Sequence, residues 1–104
     1  MDQNQIMNQI STGIHEKDPH AEVYLFGSRA RGDFRLESDW DILILVDDKK
    51  VTNQLEDKFR DVLYDIELES GQIISTFIYP KEYWQNTLIY SQLYKNVALE
   101  GILL

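Results

Sequence analysis

Two aspartates separated by one residue, Asp39 and Asp41, stand at the mouth of the most apolar run in the chain, Ile42-Leu43-Ile44-Leu45-Val46. In an extended strand, residues two apart share a face and lie about 6–7 Å apart along the chain. Like charges at that separation repel by roughly 2–3 kcal/mol at an effective dielectric near 20. A strand that serves only structure gains nothing from such a pair, whereas a divalent cation between them turns the repulsion into binding. Oxygen ligands with open positions suit Mg2+, whose shell is completed by water and substrate phosphates. Taken alone, an Asp-x-Asp more often solvates a strand end than it binds a metal.

Gly27-Ser28 adds a second kind of chemistry. A glycine directly after a buried strand lets the backbone approach a ligand closely, and a helical turn opening at Ser28 aims free N–H groups and a hydroxyl at an anion. Three arginines follow, Arg29, Arg31 and Arg35, in a chain with few other cations. Positive charge beside an acidic pair is what a polyphosphate–metal complex needs on its two sides. The plainer alternative, that these arginines neutralise Asp33, Glu37 and Asp39 as surface ion pairs, stays open beside it.

The elements that must position these residues follow from periodicity. Asp2 to Glu16 reads as a helix with Ile6, Met7, Ile10 and Ile14 on one stripe, Asp2 as its N-cap and Asp18-Pro19 as its end. Ala21 to Phe26 is a strand, and Gly27 to Arg35 a loop with or without a short helical turn. Asp39 to Val46 is a second strand, whose unbroken apolar run implies burial on both faces. Thr52 to Glu69 is a helix closed by Gly71, with Leu55, Phe59, Val62, Leu63 and Ile66 on its buried side. Gln72 to Tyr79 is a third strand ended by Pro80, and from Lys81 onward the pattern is helical. The expected architecture is α+β, with α/β-like order: one small domain over residues 1–104, a mixed sheet flanked by helices.

Composition narrows the function classes. At 104 residues, with 43% hydrophobic and 27% charged side chains, the chain fits one globular domain. A net charge of −8 argues against a phosphate-backbone binder and so against nucleic acid as a partner. There is no cysteine, which excludes disulfides and thiolate metal sites. No run approaches a membrane span and no signal peptide opens the chain, so a cytoplasmic setting is expected.

Gly27-Ser28-Arg29-Ala30-Arg31-Gly32 through Ser38-Asp39-Trp40-Asp41 and the apolar strand closely resembles the signature of the minimal nucleotidyltransferases, members of the DNA polymerase beta-like nucleotidyltransferase superfamily. The resemblance implies that superfamily's fold, with Gly27, Ser28, Arg29 and Arg31 toward the phosphates of ATP or another nucleoside triphosphate. It implies two Mg2+ ions on Asp39 and Asp41, and transfer of a nucleoside monophosphate, AMP foremost, to a protein or small acceptor. Ser38 would support the loop. One departure stands out: the family's third carboxylate belongs on a later strand, and Gln72 to Tyr79 contains no acid, with Ser75 about where it is expected. Glu67 and Glu69 end the preceding helix and are poorly placed to replace it. Many small family members are antitoxins of HEPN-domain toxins, so a weakened enzyme that neutralises a toxin by binding is the alternative.

The remaining features carry plainer readings. Tyr83, Trp84, Tyr90 and Tyr94 suit core or interface, and His15 and His20 suit surface positions. The apolar tail Ile102-Leu103-Leu104 calls for a surface to pack on, of this domain or of a partner, and self-association stays open.

Overall fold

A computed structural model describes all residues, 1–104, as a four-stranded sheet between two layers of helix. The first helix, α1 (Gln3–Lys17), is opened by a reciprocal cap in which Asp2 accepts the Gln5 N–H and Gln5 accepts the Asp2 N–H. It buries Ile6, Ile10 and Ile14, and ends at Asp18, before the proline. Strand β1 (Glu22–Phe26) leads into a one-turn helix, α2 (Ser28–Arg31), and then strand β2 (Trp40–Val46). Helix α3 (Asn53–Ser70) is capped by the Thr52 side chain and closed by Gly71 at φ 72°. Strand β3 (Ile74–Pro80) runs into α4 (Lys81–Asn86), a 3-10 turn at Leu88–Tyr90, α5 (Gln92–Glu100) and a two-residue strand, β4 (Ile102–Leu103).

The order across the sheet is β3-β2-β1-β4. β1 runs antiparallel to β2 and to β4, and β2 runs parallel to β3 through the α3 crossover, so the sheet is mixed as expected. The continuous apolar run of β2 divides cleanly by face. Trp40, Ile42, Ile44 and Val46 join α1 and α3 in one core, while Leu43 and Leu45 join Phe26, Trp84 and Val97 in a smaller core beneath α4 and α5. Asp41 alternates onto that second side.

The C-terminal third departs from the continuous helical reading. Thr87 ends α4, the chain makes a 3-10 turn, and Ser91 caps α5 by accepting the Tyr94 N–H. Trp84 is buried and stacks with Tyr79 and Tyr94, whereas Tyr90 points to solvent at 87% exposure. The apolar tail packs only partly: Leu104 meets the larger core and its N–H bonds the Val23 carbonyl, while Ile102 and Leu103 stay exposed. His15 is not a plain surface residue, because its Nε2 lies 3.0 Å from the Ala21 carbonyl and joins the end of α1 to the start of β1.

Helices α1 and α3 meet at Gly13, where an added Cβ would overlap Cγ1 of Val62. Alanine there gains about 1 kcal/mol of helix propensity and loses about 1–3 kcal/mol to overpacking. Gly13→Ala is therefore expected to lower stability, and Val62→Ala in the same chain to recover part of the loss. A urea-denaturation double-mutant cycle measures this; independent, additive effects would mean that the two helices do not meet at that point.

Candidate functional site

The register of the sheet assembles the site. Phe26 of β1 pairs with Asp41 of β2, and Asp41 pairs with Ser75 of β3, so the three side chains stand in a row on the α4/α5 side. Asp39 lies just before β2, exposed, and its Oδ2 accepts a hydrogen bond from the Ser75 hydroxyl at 3.1 Å. Glu67 is engaged elsewhere, accepting the Ile74 N–H at 2.9 Å, and Glu69 is exposed.

Gly27 adopts φ 76°, in the region that side chains disfavour. A second constraint acts there: a Cβ would overlap Oδ2 of Asp41 and come within 3.1 Å of its Cγ. The residue is glycine because the carboxylate lies against its backbone. The turn that follows is closed by Ala30 and Arg31 N–H groups on the Gly27 carbonyl and by Gly32 N–H on Ser28. The first N–H groups of such a turn, at Ser28 and Arg29, have no intrahelical acceptor.

The arginines divide by environment. Arg29 is buried at 7% exposure, and its guanidinium donates to the carbonyls of Ser38 and Leu36 and to Oε1 of Gln72. It also lies over the rings of Phe34 and Trp40, at 4.5 and 5.0 Å from their centroids. This placement departs from the expected role at the phosphates: the group faces inward and holds the loop that delivers Asp39. Arg31 is accessible and pairs with Asp33 and Glu100. Arg35 is exposed, and Ser38 holds the loop by accepting the Arg35 N–H through its hydroxyl.

Sequence reasoning overlooked Glu100. The last residue of α5 accepts the Gly27 N–H at 3.1 Å and lies 2.9 Å from Nη1 of Arg31. Nothing local in the sequence marks it; only the packing of α5 beneath the sheet brings it to the site.

Electrostatics follow from this crowding. The Asp41 carboxyl is pushed above its usual range, first by burial and then by the charge of Asp39; Arg31 opposes the shift and Glu100 adds to it. The donor set is of a kind that suits Mg2+: two carboxylates, Asp39 exposed and Asp41 half-buried, in the number that ion takes when substrate phosphates complete its shell. No cluster of three or more acidic, histidine or cysteine ligands forms a closed protein cage. A groove of about 380 Å3 between α3 and β3, lined by Arg60, Tyr64, Glu67 and Ile78, lies apart from these residues.

Two outcomes follow from the geometry. A carboxyl with a raised folded-state pKa is protonated more readily folded than unfolded, so its ionisation subtracts stability as pH rises from about 3.9 through the raised value. Without metal, Asp41→Asn should raise the melting temperature at pH 7. Melts in a pH series should show the gain vanish below about pH 4; a gain that persists at low pH would contradict the cause given. Arg29→Met should cost about 1–3 kcal/mol by removing the donor that ties the Leu36 and Ser38 carbonyls to Gln72, measured by chemical denaturation.

Comparison with known proteins places the chain. A family model for the nucleotidyltransferase domain matches residues 7–99. A crystal structure of a toxin-antitoxin with AMP-PNP aligns at a TM-score of 0.66 and 20% identity, covering 92% of this chain and 69% of that one. Two mutants of the toxin-antitoxin MntA-HpeT align comparably, one with tyrosine changed to alanine and one with two aspartates changed to glutamate. Their TM-scores are 0.61 and 0.62 at 19% and 17% identity, covering 100% and 99% of this chain and 72% of each of those chains. At such identities the likeness is one of fold. No curated protein sequence matches the chain. No helix is long and apolar enough to cross a membrane. With the family model matched over nearly its whole length, the chain belongs to the nucleotidyltransferase domain family.

Proposed function

We propose that the 104 residues act as one nucleotidyltransferase domain, transferring a nucleoside monophosphate, AMP from ATP foremost, to a hydroxyl of a protein or small acceptor. The observation that carries this reading is the meeting of the Gly27 turn with the Asp41 carboxylate, which would let phosphate donors and metal ligands act side by side. The Ser28 hydroxyl and the open N–H groups of the turn would receive the terminal phosphates, with Arg31 as the accessible cation beside them. Asp39 and Asp41 would hold Mg2+, two ions in the full arrangement, which supplies charge neutralisation and lowers the pKa of the attacking hydroxyl. The acceptor oxygen bonds to the α-phosphorus, the bond from that phosphorus to the bridging oxygen of pyrophosphate breaks, and the hydroxyl proton passes to a carboxylate or water. Arg29 serves by positioning the loop that ends at Asp39. An ATP-using enzyme of this kind belongs in the cytoplasm.

A second reading is favoured by one observation. Ser75, a neutral hydroxyl, pairs with Asp41 on the strand that would carry a further acid. A centre with only two carboxylates suits binding better than rapid turnover, and the chain would then act as an antitoxin that neutralises a HEPN-type toxin by contact. The structures it resembles in fold are themselves toxin-antitoxin proteins.

Incubation with ATP labelled at the α-phosphate, Mg2+ and the protein encoded beside it separates the two. Transfer of label, reduced at least roughly 100-fold in Asp39→Asn, is the result expected of the enzyme and corresponds to about 2.7 kcal/mol of transition-state stabilisation. Toxin neutralisation that is unchanged in Asp39→Asn, without label transfer by the parent chain, would replace the first reading with the second.

A further inference from the structure

Glu100 is a carboxylate on two groups that a triphosphate would also seek. Its Oε1 accepts the Gly27 N–H and its Oε2 pairs with Arg31, with the side chain only 16% exposed. One backbone N–H and one guanidinium at 2.9–3.1 Å are the partners that a phosphate oxygen takes. The carboxylate also bears on Asp41, adding negative charge where the site already crowds two aspartates.

We infer that Glu100 is a resident anion that occupies the phosphate donors of the domain, and that nucleotide must displace it to bind. The inference rests on the reading of the Gly27 turn as the phosphate site. The fold makes the displacement local. Val97 anchors α5 in the smaller core, Gly101 N–H bonds the Val97 carbonyl, and β4 fixes the chain beyond against β1. The backbone at Glu100 is thereby held from both sides, and rotation of its side chain alone releases Gly27 and Arg31.

Displacement also couples two events. Nucleotide has access only to the fraction of molecules in which Glu100 has left, so its apparent affinity falls by that fraction. The released carboxylate exchanges one ion pair for solvent, and Arg31 exchanges a carboxylate for a phosphate. The net charge beside Asp41 thus depends on which anion is present, and Mg2+ carried with the nucleotide offsets the added negative charge.

The test is calorimetric titration of MgATP into the full chain, its Glu100→Ala and Glu100→Gln variants, and Asp41→Asn. Glu100→Ala should bind MgATP roughly 5–50-fold more tightly than the parent, with Glu100→Gln in between because it keeps an acceptor for Gly27 but not the charge. Equal or weaker binding in Glu100→Ala, in a variant whose melt shows it folded, overturns the inference; weaker binding would make Glu100 part of the nucleotide site. If the parent and Asp41→Asn bind MgATP with the same measurable affinity, or none of the four proteins binds it, the reading of the site itself falls and takes the inference with it. Amide NMR gives a second readout independent of affinity. The Gly27 resonance should already be shifted in nucleotide-free Glu100→Ala and should move in the parent only on adding MgATP. A Gly27 resonance insensitive to the substitution overturns the resident contact.

Discussion

A guanidinium buried between two aromatic rings is the interaction on which the site depends. Arg29 is drawn inward by the carbonyls of Leu36 and Ser38, by Gln72 ahead of β3, and by the faces of Phe34 and Trp40. A charge so far from water persists only when its donors find acceptors, and here those acceptors lie on the segments that must be brought together. The loop between α2 and β2, the first residue of β2 and the approach to β3 are all tied to one side chain. Trp40, under the guanidinium, keeps a buried indole N–H with no partner.

Once that loop is fixed, close packing takes over. The carboxylate of Asp41 lies on the backbone of Gly27, and the strand register sets Ser75 beside it. Asp41 is therefore held partly away from solvent and within reach of the Asp39 charge. Burial and the neighbouring charge both disfavour the ionised form of Asp41 in the isolated chain.

Much of this was legible in the sequence because it is local. The Asp2 cap, the Ile6-Ile10-Ile14 stripe, the Gly71 terminus and the order of the first three strands follow from periodicity and turn chemistry over a few residues. Ser75 was placed near the acid pair by the family resemblance alone, and the pairing of β2 with β3 sets it opposite Asp41. What was not legible depends on distance along the chain or on burial that residue type opposes. Arg29 is an arginine after a glycine-serine turn, and nothing nearby announces that it folds inward onto Gln72. Glu100 reaches Gly27 across 73 residues. The tail was expected to need cover, but a two-residue strand is too short to show a period, so β4 emerges only from its pairing with β1.

The alternation along β2 has a consequence for how such a domain changes over time. Ile42, Ile44 and Val46 answer to α1 and α3, while Leu43 and Leu45 answer to α4 and α5, on the side that carries Asp41. A substitution on the first side is felt by α1, α3 and Trp40, the residue between the two acids. A substitution on the second is felt by the helix that carries Glu100. One strand thus presents two sets of tolerated changes at alternate positions, the first limited by packing on α1 and α3 and the second by packing on α5.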